Sequence, residues 1–445
     1  MKDVSQEKDW METMKVSAVV AKMAVPSVIS SLVTVLYNMA DTFFVGQTGD
    51  ALQVAAVSLT NPIFILFMAF ANMFGMGGSA AASMALGQKN DRRVRQVSSF
   101  VTYASIIIGV LFAVMLIFFT APILTLFGAD AETYEYARGY TVYVALGAPF
   151  IIWSAAASFI VRAEGASREA MIGSMVGTIA NIVLDPLFIS GFGMGAAGAA
   201  VATTIGNILA SLYYLWYFAK KTRFLSIRPV DFKCGDGILR HVCATGFPTA
   251  VFSALMSVST IVMNQILVDY GNDPVAAIGI VFKANMFITF LQMGLANGVQ
   301  PLLGYSYGAG NMSRFREVEY FTKKCCLIVG IASTILFYAA REPMIRLFIS
   351  DSQVVKYGVE MLIAYMLSGP VIGFLFMNMN CMQSVEHAFP ATVLSVLRQG
   401  VLLIPLLYLL QAIGGLNGVI YGQAITDYVA VFLSFFLWKK IRKNL

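Results

Sequence analysis

Two aspartates of this 445-residue chain stand within long apolar segments, Asp41 in the first segment and Asp185 in the fifth. A carboxylate at the centre of a bilayer costs on the order of 2.5–3.5 kcal/mol on insertion scales, so its presence there needs a functional reason. At 1.5 Å per helical residue, Asp41 is roughly 28 Å from the inner end marked by Lys22, and Asp185 is roughly 24 Å from the start of its helix. Both carboxylates are therefore predicted at a similar depth, in the outer half of the membrane.

Polar side chains are predicted beside both carboxylates. Asn181 and Tyr37 each precede an aspartate by four residues, and Asn38 precedes Asp41 by three, so each of them shares the helix face of an aspartate. Thr203, eight residues into the next apolar segment, returns to about the same depth. Burial among such neighbours favours a carboxyl group that binds and releases a proton, whereas the same oxygens could instead ligate a sodium ion. The predicted proton or cation site consists of Asp41, Asp185, Asn181, Tyr37 and Thr203; for sodium, the ligands are Asp41, Asn181, Asp185 and Thr203.

A purely structural interpretation of the two aspartates stays open at this point. Asp41 is close to Gly46, where it could end the first helix, and Asp185 directly precedes the helix-bending Pro186. Both side chains would then serve the ends of helices rather than ion exchange. The two interpretations differ in whether the carboxylates meet in the fold.

Further candidate residues lie in the second half of the chain. Lys283 is a candidate substrate contact in the eighth apolar segment, although its long stem could also carry the ammonium group to the membrane surface. Phe290 and Met293 are candidates for the lining of a substrate cavity, because soft side chains suit varied ligands. Asp427 is either a second titrating group or the partner of Arg398 in an ion pair.

These residues depend on the helices that position them. Hydrophobic residues make up 58% of the chain and charged residues only 12%, which is about half the charged share of soluble domains. Many apolar blocks exceed roughly twenty residues, long enough to cross a hydrocarbon core about 30 Å thick. The pattern predicts an all-α membrane protein of twelve transmembrane helices. Their predicted ranges are 17–45, 52–77, 97–126, 134–161, 169–190, 195–219, 240–269, 275–302, 317–340, 353–381, 391–412 and 416–438.

The positions of the lysines and arginines predict the orientation of the helices. With the N-terminus inside, twenty-three of the 30 basic residues fall in inner segments, and only Arg138, Arg341, Arg346 and Lys356 fall in outer ones. Both termini are therefore expected in the cytoplasm of a bacterial or archaeal cell, with the chain in its inner membrane. The net charge of +6 reflects this topology and suits anionic inner-leaflet lipid rather than a nucleic-acid partner.

The two halves of the chain repeat each other. Pro26 and Pro248 each stand early in the first helix of their half, and further matches follow at a nearly constant offset of 222 residues. Because each half has six spans, the halves are parallel 6+6 repeats related by a pseudo-twofold axis along the membrane normal, with a cavity expected between them. The predicted domains are an N-terminal six-helix bundle with the cation site (1–220), a cytoplasmic linker (221–239) and a C-terminal six-helix bundle (240–445).

The acidic site is absent from the second copy of the repeat. At the repeat offset, Asp41 corresponds to Met263, and Asp185 falls opposite Ile404. The fold is thus predicted to be duplicated without its carboxylates, so that the N-terminal half handles the coupling ion.

Sequence motifs of ATP-driven transport and of enzymes are missing. No GxxxxGKS/T loop for nucleotide phosphates occurs, and neither HExxH nor GxSxG is present. The only histidines, His241 and His387, are placed in or beside predicted inner loops. The five cysteines show no metal-site spacing. We therefore expect a protein that is not an enzyme and that needs no cofactor.

Five short segments carry a family resemblance: Tyr37–Gly46 (YNMADTFFVG), Arg162–Gly165 (RAEG), Asn181–Pro186 (NIVLDP), Gly195–Val201 (GAAGAAV) and Arg398–Pro405 (RQGVLLIP). Together they resemble the multidrug and toxic compound extrusion (MATE) family. In its DinF-like branch, an aspartate of helix 1 and an Asn-x-x-x-Asp pair of helix 5 form the cation site. The resemblance assigns these roles to Asp41, Asn181 and Asp185, with Tyr37 and Thr203 as helpers. The helix 7 and helix 10 acids of the NorM-like branch are missing.

The resemblance implies a secondary active antiporter whose two bundles expose a central cavity alternately to each side of the membrane. We expect it to export small amphipathic organic compounds, often cationic, in exchange for H⁺ or Na⁺, and so to confer multidrug and antibiotic resistance. Its expected partners are these compounds and membrane lipid, and it is expected to be a monomer. A flippase for lipid-linked precursors is the main alternative. An intramembrane enzyme is disfavoured, since no nucleophile–base or metal set is present.

Overall fold

The computed structural model describes residues 10–46, 50–349 and 351–445. Lys2 and Lys8, which contribute to the predicted orientation, lie outside these residues. Within the described part of the chain, all regular secondary structure is helical. The bilayer accounts for this, because a single crossing segment can satisfy its backbone polar groups internally only as a helix.

Twelve spans follow from the helices of the described residues. Ten helices are long and apolar enough to cross a membrane, and Ser352–Met366 with Gly369–Ser384 form a further span bent by 46°. The last of the ten, Ala388–Arg442, is broken at Gly415, whose φ of 57° lies in the left-handed region that favours glycine. That segment therefore supplies two spans, and the predicted twelve-helix architecture is confirmed.

The spans are named in chain order. They are α1 (Val16–Gly46), α2 (Ala51–Gly87), α3 (Asp91–Phe118), α4 (Tyr134–Ala163), α5 (Ser167–Pro186, continued by the π-helical turn Leu187–Gly191), α6 (Gly195–Lys220), α7 (Ile238–Val268), α8 (Asn272–Gly308), α9 (Met312–Ala339), α10 (Ser352–Met366 and Gly369–Ser384), α11 (Ala388–Val396, the π-helical turn Leu397–Val401 and the part of Leu403–Arg442 before Gly415) and α12 (the rest of Leu403–Arg442). Short helices occupy Trp10–Thr13, Thr120–Leu126, Pro229–Asp231 and Arg341–Arg346.

Several helices differ in length from their predicted apolar ranges. α2 continues to Gly87 and α8 to Gly308, because a helix bonds its own backbone and need not end where the hydrocarbon ends. The predicted helix 97–126 is instead α3, which ends at Phe118, followed by the separate helix Thr120–Leu126. Apolar character alone does not fix where a helix begins or ends.

The first residues of α3 and α9 are each preceded by an asparagine that caps the helix. The side chain of Asn90 accepts a hydrogen bond from the Arg93 N–H at 3.0 Å before α3. The side chain of Asn311 accepts one from the Arg314 N–H at 3.0 Å before α9. Asparagine is a preferred N-cap because its side-chain oxygen satisfies a backbone donor of the first turn. The two caps stand at equivalent positions of the predicted repeat.

Two compact units can be distinguished in the chain. Val33–Gly246 form one, here called the N-unit, and Met1–Leu32 with Phe247–Leu445 form the other, here called the C-unit. The start of α1 thus belongs to the C-unit and the start of α7 to the N-unit. The predicted domains 1–220, 221–239 and 240–445 describe the sequence repeat, and these boundaries stay a prediction.

The core of the N-unit is built from α2, α4 and α6. Phe67, Ile151 and Ala200 belong to one buried cluster that joins these three helices. α3 closes against α4 at Gly109, where a Cβ atom would lie only 2.4 Å from the Cα atom of Pro149. The packing of these buried side chains fixes the positions of the helices that carry the polar residues of the N-unit.

The predicted linker is packed against the N-unit. The Ser226 N–H donates to the Ser98 hydroxyl at 2.9 Å, and that hydroxyl donates back to the Ser226 carbonyl at 3.1 Å. The ring of Phe232 stacks on that of Phe100, with ring centroids 6.3 Å apart. These contacts tie the segment to α3, so it is an integral part of the N-unit.

Candidate functional site

Asp185 stands where the regular part of α5 ends. The next residue, Pro186, offers no N–H to the helix, and the following turn, Leu187–Gly191, widens to a π-helix. Asp185 has no exposed surface, and Asn181, one turn earlier, is 3% exposed. The sequence therefore places a carboxyl and an amide on one buried face, next to a local break in the helix.

A close crossing of α5 and α6 brings a hydroxyl to this face. A Cβ atom at Gly206 would lie 2.6 Å from the Gly177 carbonyl oxygen, so only glycine permits this approach. The crossing puts the Thr203 hydroxyl 3.1 Å from the amide of Asn181. Thr203 is itself 4% exposed, which makes this a contact between two buried polar groups.

The buried polar groups form one hydrogen-bonded chain. The Asn181 amide is oriented here so that both of its polar atoms find partners. Its nitrogen donates to Asp185 Oδ2 at 3.1 Å, and its oxygen accepts from the Thr203 N–H at 2.8 Å and the Thr203 hydroxyl at 3.1 Å. The Tyr37 hydroxyl lies 3.4 Å from that of Thr203. The chain therefore runs from Tyr37 through Thr203 and Asn181 to Asp185.

Asp41 lines a cavity beside this chain. The cavity has a volume of about 300 Å³ and lies within the N-unit, between α1, α2 and α4. Asp41 and Asp185 interact electrostatically with each other and with the phenols of Tyr37 and Tyr140. All five predicted site residues therefore share one region, and the two carboxylates are close enough to interact electrostatically. The cavity lining comprises Tyr37, Asn38, Asp41, Val45, Val54, Val57, Ser58, Asn61, Phe64 and Tyr140.

The charges of the two carboxylates have no cationic side chain beside them. Among the described residues, no lysine or arginine forms an ion pair with Asp41 or Asp185. Asp185 Oδ1 is buried without a hydrogen-bond donor. A buried carboxylate in this state needs a positive partner, and a proton or a sodium ion would supply it.

The donors that the site offers to a cation are oxygen atoms. In the described part of the chain there is no group of three or more histidine, cysteine, aspartate or glutamate side chains that could hold a metal ion. Two carboxylates, an amide and a hydroxyl are hard oxygen donors, which suit a hard cation. Asp185 Oδ1 is the oxygen most in need of that ligand.

Three polar residues of the site were not among the predicted ones. Tyr140 of α4 and Ser58 and Asn61 of α2 line the cavity with Asp41. The depth argument could have found Tyr140, since it is six residues from the start of α4, roughly 9 Å. Asp41 is five residues, or roughly 8 Å, from the end of α1 on the same side of the membrane.

The predicted substrate-cavity residues lie elsewhere. Lys283, Phe290 and Met293 are half-buried on α8 in the C-unit, and none of them lines the cavity at Asp41. Their role stays a prediction. The ion-pair alternative for Asp427 is realised, since Arg398 Nε lies 2.7 Å from Asp427 Oδ1.

The chain matches a known family twice. The MatE family model matches residues 26–187 and 248–409, two segments of equal length that begin 222 residues apart, as the predicted repeat requires. The chain belongs to the MATE family. MATE proteins are membrane transporters and not a class of enzymes. The family therefore agrees with the prediction that this protein is not an enzyme.

Other MATE proteins resemble this chain along most of its length. The multidrug export protein MepA of Staphylococcus saprophyticus is 32% identical over 426 residues, covering 95% of this chain and 93% of the relative. MepA of Staphylococcus haemolyticus is 32% identical over 441 residues, covering 98% and 96%.

Solved MATE structures have the same fold. A MATE protein in its straight conformation superimposes with a TM-score of 0.92 at 24% identity over 97% of each chain. An outward-facing multidrug resistance MATE transporter of the MOP superfamily superimposes with a TM-score of 0.90 at 24% identity over 95% of each chain. At this identity the likeness shows the fold alone.

Proposed function

We propose that this MATE protein is a secondary active multidrug efflux antiporter of the DinF-like type. It exports amphipathic organic compounds, many of them cationic, in exchange for H⁺ or Na⁺ by alternating access. Relatives named as multidrug export proteins support the substrate class. The observation that carries the proposal is the buried Asp185, whose Oδ1 has no donor and with which no lysine or arginine of the described residues forms an ion pair.

Cation exchange at the two carboxylates supplies the coupling. With a proton or Na⁺ bound, the mutual repulsion of Asp41 and Asp185 is relieved; without it, the pair attracts another cation. A ligand shifts a conformational equilibrium only by its different affinity for the two states, so the site must hold the ion more tightly in one of them. Inward movement of one proton down 100 mV yields roughly 2.3 kcal/mol for this purpose.

The hydrogen-bonded chain sets the properties of the site. Asn181 donates to Asp185 Oδ2 and so favours the ionised carboxylate, while Thr203 holds the amide in that orientation. Tyr37 and Tyr140 place phenol groups at the side of Asp41. The electrostatic interaction between Asp41 and Asp185 makes cation binding at one carboxylate change the cation affinity of the other.

The cellular setting is inferred together with the function. We place the protein in the bacterial or archaeal cell membrane as a multi-pass monomer with both termini in the cytoplasm. No cofactor is required, and the partners are the exported compounds and membrane lipid. The asymmetric distribution of basic residues supports the orientation.

Dye efflux from proteoliposomes tests the proposal. Proteoliposomes that contain the purified protein are loaded with a cationic dye, and pH and sodium gradients are imposed across their membrane in turn. Efflux driven by one of the gradients, and its loss in Asp185→Asn, is the expected result. Efflux indifferent to both gradients would contradict antiport. Binding of lipid-linked sugars without dye efflux would favour the flippase alternative instead.

A further inference from the structure

A third aspartate is buried within the spans, and its environment differs from that of the first two. Asp427 of α12 is 2% exposed and lies in the C-unit. Its Oδ1 accepts hydrogen bonds from Arg398 Nε at 2.7 Å and from Gln423 Nε2 at 2.9 Å. The hydroxyl of Tyr365 on α10 also interacts electrostatically with this carboxylate. Asp427 thus has a cationic partner, whereas no lysine or arginine in the described part of the chain forms an ion pair with Asp41 or Asp185.

Arg398 is held in place by its surroundings. It lies in the π-helical turn Leu397–Val401, and such turns are frequent at functional positions. Its guanidinium carbon lies 5.3 Å from the ring centroid of Phe252 and 5.8 Å from that of Phe376. Aromatic faces attract a cation, so the two rings stabilise a charge that is only 5% exposed.

The ion pair is incompletely hydrogen-bonded. Arg398 Nη1 is buried without a hydrogen-bond acceptor, and the buried hydroxyl of Tyr365 has no hydrogen-bond partner either. A buried ion pair is often no more stable than apolar side chains of similar volume, even with full hydrogen bonding. Packing stability alone is therefore a poor explanation for this pair. Its clear effect is to cancel the charge of Asp427.

We propose that Arg398 is a tethered counter-cation that keeps Asp427 neutralised and so excludes it from ion exchange. The guanidinium does permanently in the C-unit what a mobile H⁺ or Na⁺ does at Asp41 and Asp185 in the N-unit. Arg398 thereby restricts coupling to one site per chain. The inference rests on the proposed function of the N-unit carboxylates, which it deepens by naming the residue that sets the number of exchanged ions.

The test counts the cations bound by purified protein. Arg398→Gln is expected to bind one additional H⁺ or Na⁺ per chain, measured by difference potentiometric titration and by equilibrium binding of radioactive sodium. Arg398→Lys retains a tethered cation and is expected to match the parent protein. Arg398→Gln combined with Asp427→Asn is expected to lose the additional cation. A purely structural pair would change stability in these variants but leave the count unaltered.

A titratable variant covers the case in which Arg398→Gln does not fold. Arg398→His provides a counter-cation while the imidazole is protonated and loses it as the pH rises. The number of bound Na⁺ is expected to match that of the parent protein at low pH, where the protonated imidazole neutralises Asp427, and to exceed it by one at high pH. A folded Arg398→Gln or Arg398→His protein with no additional cation would overturn the proposal, as would an additional cation that persists with Asp427→Asn.

The same measurement separates this inference from the proposed function. In a protein carrying Asp41→Asn and Asp185→Asn, adding Arg398→Gln is still expected to raise the count by one. Efflux in the Asp41→Asn and Asp185→Asn protein tests the N-unit site on its own. The two measurements are independent, because the cation count reports the charge at Asp427 and the efflux assay reports transport. Either proposal can therefore be contradicted without the other.

Discussion

The interiors of the two units differ in how their polar side chains find partners. In the N-unit, Asp41 faces a cavity of about 300 Å³ and Asp185 keeps one oxygen without a donor. In the C-unit, Asp427 Oδ1 accepts from Arg398 Nε at 2.7 Å, and the amide of Asn380 donates to the Asn297 side chain at 3.0 Å. A polar group beside a cavity can exchange its ligand, whereas polar groups paired with each other fix the packing of helices.

Two further amides of the C-unit donate to internal partners, while their oxygens, Asn378 Oδ1 and Gln292 Oε1, accept no hydrogen bond. Asn378 donates to the hydroxyl of Ser434 at 2.9 Å, and Gln292 donates to the carbonyl oxygen of Cys326 at 2.9 Å. The two halves of the repeat therefore share their arrangement of helices but differ in the polar side chains that these helices carry. Function can reside in one copy of a repeat while the other copy serves as its structural counterpart.

The largest effect is expected when the buried charge of the N-unit is removed. Asp185→Asn keeps the shape of the side chain but removes the negative charge that attracts the coupling cation. Gradient-driven dye efflux from proteoliposomes should fall to the level of protein-free liposomes, with expression and thermal stability maintained. Asp130→Asn, the same change at an exposed site, should retain efflux. Full efflux in Asp185→Asn would contradict the difference between the units.

A slightly smaller effect is expected when the crossing of α5 and α6 is forced apart. In Gly206→Ala the added Cβ would lie 2.6 Å from the Gly177 carbonyl oxygen, so the helices must separate and Thr203 must leave Asn181. Efflux should be strongly reduced. Gly193→Ala is not a suitable control because of its positive φ, but Gly139→Ala is, since the nearest atom is at 3.6 Å. Equal efflux in Gly206→Ala and Gly139→Ala would show that the crossing is not needed.

An intermediate effect is expected from Asn181→Ala. Loss of the donor leaves Asp185 Oδ2 unsatisfied, at a cost of about 1–3 kcal/mol, or on the order of tenfold in cation affinity. With H⁺ as the coupling ion, the pH profile of efflux should shift to higher pH, because the ionised carboxylate has lost a stabilising hydrogen bond. With Na⁺ as the coupling ion, the sodium concentration for half-maximal efflux should rise instead. Unchanged dependence on both ions would remove Asn181 from the site.

The smallest effect is expected from Tyr140→Phe. The change removes only a hydroxyl from the cavity beside Asp41, so efflux should fall by a few-fold, corresponding to about 1 kcal/mol for one hydrogen-bonding group. Tyr143→Phe, one turn away on α4 and 37% exposed, is the matched control and should have no effect. A larger loss in Tyr143→Phe than in Tyr140→Phe would place the functional face of α4 elsewhere.

Sequence patterns were sufficient for most of the fold and for the centre of the site. Apolar windows long enough to span a bilayer identified the helices, and the four-residue spacing of Asn181 and Asp185 placed both on one face. Thr203 followed from its depth. These inferences succeed because the bilayer imposes helices and depths on a chain, so that few alternatives are left.

The remainder depended on packing, which local patterns do not encode. Tyr140 was missed because a tyrosine within an apolar span is equally typical of packing, and its depth, which matches that of Asp41, does not show that the two side chains line one cavity. The bend in α10 was missed although Pro370 follows Gly369, a pair that suits the first turn of a new helix. The close approach of Gly177 and Gly206 likewise depends on two helices that meet only in three dimensions.

The most direct test of the central claim measures cation release on substrate binding. Purified protein in weakly buffered, sodium-containing solution is titrated with a cationic dye while the release of H⁺ and Na⁺ is recorded. Coupling of dye binding to ion release at Asp41 and Asp185 predicts that the parent protein releases one of these ions in proportion to dye bound, and that a protein with Asp41→Asn and Asp185→Asn binds dye without releasing either ion. Equal release from both proteins would contradict the claim that these two side chains hold the coupling ion.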